Sequence, residues 1–124
     1  MSNDKSEKRR ETRYAVTGMP DAKLLRADGQ EIVFFIVDVS NQGLGIVVDT
    51  YLPVGEQLWI SFTGDANHQK IELENRWSMP VNSLGSDANN MVDLYRCGLL
   101  VKSPALDMVL ILSESESVGL EDLS

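Results

Sequence analysis

The chain has 124 residues, of which 43% are hydrophobic, and a formal net charge of −8. This fits one soluble domain with a moderate core, and no apolar run approaches the roughly 20 residues that span a bilayer. The acidic balance excludes nonspecific binding to long nucleic acids, which needs a positive field.

Residues 1–13 contain a single apolar side chain, Met1, so they form a flexible arm rather than core. No apolar segment follows the charges of this arm, so it is not a signal peptide, and a cytoplasmic location is expected. Five of the eleven basic residues fall here: Lys5, Lys8, Arg9, Arg10 and Arg13. The apolar pattern begins at Tyr14, Ala15 and Val16. Ala22 to Ala27 reads as a short strand, and Asp28-Gly29 is a hairpin-turn signal.

From Glu31 a β-branched and aromatic run, Ile32 to Val37, meets a polar corner from Asp38 to Gly43 and leaves again as Leu44 to Val48. Two strands joined at a corner is the simplest reading. Asp38 and Ser40 flank Val39, so on extended backbone they share a face. Taken alone, that corner is equally well a turn whose side chains bond nearby N–H groups.

Leu58, Ile60 and Phe62 alternate with Trp59, Ser61 and Thr63, as a strand does. Residues 64–69 make a hairpin loop that contains the single histidine, His68. Ile71, Leu73 and Trp77 alternate with Glu72, Glu74 and Arg76, which gives a strand with one wet face. Pro80 to Asp93 reads as a long loop, and Leu94 to Val101 closes the set.

Six short strands at fairly even spacing predict an all-β fold, a six-stranded antiparallel β-barrel over residues 14–115 with a C-terminal α-helix. The helix is expected to start with Ser103 as N-cap and Pro104 at the first helical position. It is apolar nearly all round, which suits packing on the barrel. The acidic tail, residues 116–124, is expected to be disordered.

Cys97 is the one cysteine, so no intrachain disulfide forms, and its apolar surroundings make it a small core residue. No metal-ligand cluster and no nucleophile–base spacing is present, so an enzyme is not expected and no cofactor is implied. A small barrel reading single-stranded nucleic acid would need aromatic platforms along a basic groove. Eight aromatics in all, and no basic stripe beyond the arm, argue against it.

Arg9 and Arg13 are spaced R-x-x-x-R, and Asp38, Ser40 and Gly43 follow as D-x-S-x-x-G. In that order, ahead of the strand pattern, with Asn75-Arg76-Trp77 and the closing Tyr95-Arg96-Cys97-Gly98-Leu99, the chain resembles the PilZ domain family. Leu100 and Val101 stand where the family often has an aromatic. The resemblance covers roughly residues 9–113. It implies a receptor for cyclic di-GMP that signals to an effector protein, with motility, biofilm or polysaccharide control as the output.

Chemistry agrees with that implication. An arginine fork bonds guanine O6 and N7 bidentately, worth about 1–3 kcal/mol of discrimination. Arg9 and Arg13 can do this and also neutralise phosphates. Asp38 is suited to accept from guanine N1–H and N2–H₂, Ser40 can bond a phosphate or base, and Gly43 lets the backbone turn tightly. Lys8, which precedes the motif, is implied to influence ligand stoichiometry. Arg10, Asn41, Trp77 and Gly98 complete the candidate set, although a tryptophan in such a strand more often belongs to a core. The other reading is a PilZ-like interaction module without a nucleotide, to which the apolar helix and acidic tail are suited. Homodimerisation is left open.

Overall fold

The alternation of apolar and polar residues becomes one antiparallel sheet in a computed structural model, which describes residues 12–62, 69–81 and 93–123. Its strands are β1 (Tyr14–Gly18), β2 (Ala22–Arg26), β3 (Glu31–Ile32), β4 (Phe34–Ser40), β5 (Gly43–Val48), β6 (Gln57–Phe62), β7 (Gln69–Val81), β8 (Leu94–Val101) and β9 (Val118–Asp122). They lie in the order β3-β2-β6-β7-β8-β5-β4-β1-β9. The sheet among the described residues is therefore nine-stranded and not closed, where six strands in a barrel were expected. The additions are β1, β9 and the break at exposed Val33, which sets the two-residue β3 apart from β4.

One face carries the core. Leu24, Val39, Ile46, Leu58, Ile60, Ile71, Leu73 and Cys97 are fully or almost fully buried there. Each large aliphatic contributes about 1.5–3 kcal/mol relative to exposure. Cys97 occupies the expected core position. Burial raises its thiol pKa above the usual value, while a hydrogen bond with Ser78 pulls the other way.

Two register shifts change which face a side chain takes. In β4, Ile36 pairs with Ile46 but Asp38 pairs with Gly45, so Val37 is an extra residue. In β7, Asn75 pairs with Leu99 but Trp77 pairs with Gly98, so Arg76 is extra. A single added residue reverses the phase of alternation. Phe34 and Ile36 face the core before the first shift and Val39 after it, which turns Asp38 and Ser40 to the opposite face.

The single helix described, α1 (Met108–Ser113), begins later than expected. Asp107, not Ser103, is the N-cap, and its carboxylate accepts from the N–H groups of Val109 and Leu110. A carboxylate complements the positive helix start better than a hydroxyl does. This start puts Met108 and Leu112, four apart, into the core and leaves Leu110 exposed. The β4–β5 turn holds the helix in place: Met108 N–H donates to the Asn41 carbonyl, Asn41 Nδ2 to Asp107, and Gln42 Nε2 to the Leu106 carbonyl.

The tail also departs from expectation. Residues 118–122 pair with the whole of β1, from Gly18↔Val118 to Tyr14↔Asp122, and Leu123 N–H donates to the Arg13 carbonyl. Val118 and Leu120 pack against the core, which offsets the ordering of an otherwise acidic segment. The expected 80–93 loop lies outside the described residues from 82 to 92, and so does His68. No described helix is long and apolar enough to cross a membrane.

Candidate functional site

On the face opposite the core, paired residues line up across four strands: Trp77 on β7, Gly98 on β8, Gly45 on β5 and Asp38 on β4. Directly paired residues point to the same face, so the row has a large side chain at each end and none in the middle. The two glycines are required by what lies on them. A Cβ at Gly98 would come within 2.2 Å of Trp77 Nε1, and one at Gly45 within 2.3 Å of Asp38 Oδ1. The indole and the carboxylate thus lean inward over bare backbone.

Charge gathers at the same place. Arg13 Nη1 bonds Asp38 Oδ1 and Arg96 Nη2 bonds Asp38 Oδ2, each at 2.9 Å. One carboxylate, its side chain 11% exposed, therefore holds two guanidinium groups side by side. These residues, with Ser40, Gln42 and Arg76, line an open cleft of about 440 Å³. That volume is within the range of small-molecule sites. Three arginines against one carboxylate make the cleft cationic in a chain of net charge −8. An anion with a flat aromatic part suits it, since guanidinium forks take phosphate or a purine edge and the indole offers a stacking face.

Of the sequence candidates, Arg13, Asp38, Ser40, Gly43, Trp77 and Gly98 all line this cleft. Trp77 is 40% exposed and not a core tryptophan, because the extra residue at Arg76 turns it outward. Asn41 is bonded to Asp107 and is not among the lining residues. Lys8, Arg9 and Arg10 lie outside the described residues.

Seven lining residues were missed: Arg96, Arg76 and Gly45, and also Gln42, Leu44, Leu99 and Leu100. A signal for Arg96 existed. In Leu94 to Val101 the odd positions are the apolar core set, so Arg96 necessarily shares a face with Gly98. Among the described residues no group of three or more His, Cys, Asp or Glu side chains could hold a metal.

A family model described as the PilZ domain matches residues 7–82. The solved PilZ domain with c-di-GMP of YcgR from Escherichia coli has a similar fold, with a TM-score of 0.53 and 18% identity over 79% of this chain and 84% of that one. No curated protein matches the sequence.

Proposed function

The chain belongs to the PilZ domain family, and on that premise we propose that it is a receptor for cyclic di-GMP. The observation that carries the reading is the arginine pair, Arg13 and Arg96, held on Asp38 beside the open face of Trp77. Two phosphates meet the guanidinium groups, and a guanine stacks on the indole. The ligand draws Arg9 of the N-terminal arm onto the same face and so changes the contacts of the arm. An effector protein reads that change. Phe35 and Met79, exposed in the row that contains Arg96, give this partner an apolar surface next to the ligand.

The test is titration calorimetry with cyclic di-GMP on the wild type and on Arg9→Ala, Arg13→Ala and Arg96→Ala. Wild type is expected to bind at micromolar ligand and each variant to lose at least tenfold in affinity. No heat from the wild type, or equal affinity in all four proteins, would overturn the reading. Phe35 and Met79 also favour a second reading, a docking module that works without the nucleotide. Partner capture that is independent of cyclic di-GMP would support that one instead.

A further inference from the structure

Of the nine exposed large apolar side chains among the described residues, five share the face of the cleft: Val33, Phe35, Trp77, Met79 and Val81. Phe35 pairs with Val47, Val47 with Arg96 and Arg96 with Met79, so these side chains stand in one row across β4, β5, β8 and β7. Val33, two residues before Phe35, and the pair Val81 and Leu94 extend the patch away from the cleft. Its size, on the order of several hundred Å², is one that marks an interaction surface on a monomer.

Charge is arranged at the two ends of this patch. The cleft supplies the cationic end, where Arg76 is exposed and makes no ion pair among the described residues. At the other end stand Asp49 and Glu31, both exposed and likewise in no ion pair among the described residues. Asp49 comes two residues after Val47 and Glu31 two before Val33, so strand alternation gives both the face of the patch. Asp49 lies four positions beyond Gly45 of the cleft floor, about 13 Å along the strand.

A face that is cationic at one end, apolar in the middle and acidic at the other is complementary to itself turned through a two-fold axis. A stable dimer buries about 800 Å² per protomer. That is more than the apolar patch alone offers, so both charged ends have to lie inside the contact. We infer that this face is the contact between two copies of the chain, with Asp49 and Glu31 of each copy over Arg76 and the arginine pair of the other. The apolar row supplies the affinity and the charges set the register, since exposed ion pairs contribute little alone. The phosphates of a bound nucleotide compete for the same arginines. Ligand therefore separates the copies and uncovers Phe35 and Met79 for an effector, a consequence that rests on the cyclic di-GMP reading above.

The experiment is analytical ultracentrifugation of the full chain, first without ligand. Wild type is expected to sediment as a dimer, and Phe35→Ser to weaken that dimer about tenfold or more. Asp49→Lys and Arg76→Glu should each weaken it as well, and the two reversals combined should restore the wild-type dissociation constant to within about threefold. All three positions are exposed, so the variants should melt like the wild type. A wild type still monomeric at about 100 μM overturns the inference. So does a dimer that neither reversal weakens, or a pair of reversals that do not rescue each other. Saturating cyclic di-GMP should then convert the wild-type dimer to monomer. A dimer that stays intact while calorimetry shows ligand bound overturns the placement of the arginines in the contact. If calorimetry shows no binding, the receptor reading alone fails, and the ligand-free charge reversals still decide the contact.

Discussion

Replacing Gly45 with alanine tests whether the Asp38 carboxylate is held where the cleft requires it. The new Cβ would lie 2.3 Å from Asp38 Oδ1 and 2.9 Å from its Cγ. Relief requires the carboxylate to move by about an ångström, which misaligns its 2.9 Å bonds to Arg13 and Arg96. A charge-assisted hydrogen bond contributes about 1.5–3 kcal/mol when secluded. Here the arginine side chains are 54% and 40% exposed and can turn to water, so the contribution falls toward the surface range. A net loss of about 1–2 kcal/mol is expected for Gly45→Ala, a fall in Tm of about 3–8 °C.

The informative comparison is the same change in an Asp38→Ala background. There the clash is absent, and alanine for glycine within a strand stabilises by about 0.5–1 kcal/mol. The effect of position 45 should therefore reverse sign. Urea unfolding of the four proteins measures it. Equal effects in the two backgrounds, within about 0.5 kcal/mol, would refute the argument.

Gly98→Ala should behave differently from Gly45→Ala, because its Cβ meets the indole of a half-exposed Trp77, which can swing into solvent. Stability should change by less than about 1 kcal/mol while tryptophan fluorescence shifts to the red and nucleotide affinity drops; a large loss of stability with unchanged fluorescence would contradict this. Asp107→Ala removes the cap of α1 and the acceptor of Asn41, and a loss of about 0.5–2 kcal/mol is expected in urea unfolding. Burial raises the Cys97 pKa in the folded state, so above the unfolded thiol's pKa only the unfolded chain gives up its proton. The Cys97 contribution to stability is full below that pH and declines as pH rises further. Thermal melts of wild type against Cys97→Ala between pH 7 and 10 should show that decline, and a contribution that grows with pH would contradict it.

Most strands could be read from the chain because period-two alternation is local, and β8 has the same limits in the sequence and in the structure. The shared face of Asp38 and Ser40 was equally local. Which face they take was not, because alternation continued from Phe34 and Ile36 points them inward, and the extra residue at Val37 becomes visible only through the pairing with β5. The same limit applied to Trp77 and Arg76. The start of α1 depended on a contact with Asn41, sixty-six residues away from Asp107. The β9 strand was hidden by composition: Val118, Gly119 and Leu120 are too short a run among acids to read as a strand until β1 supplies an edge. Arg13 was found from its motif spacing, whereas Arg96 belongs to no spacing motif and is recognised by its partner.

The two bulges and the two glycines together account for how an acidic protein makes a cationic recess. Without the bulges, Asp38 and Trp77 would compete for core space with Val39 and Leu73, and the opposite face would have neither. Turned outward, they stand on either side of Gly45 and Gly98, whose missing side chains leave a floor of peptide backbone. Like charges at Arg13 and Arg96 would otherwise repel at such proximity. The Asp38 carboxylate between them cancels part of that repulsion and fixes the direction of each guanidinium before any ligand arrives. Arg76 adds a third cation to the lining, so the cleft keeps a positive excess of two while the arginine pair stays ordered. An incoming dianion then meets pre-aligned donors, and less of its interaction is lost to ordering the side chains that bind it.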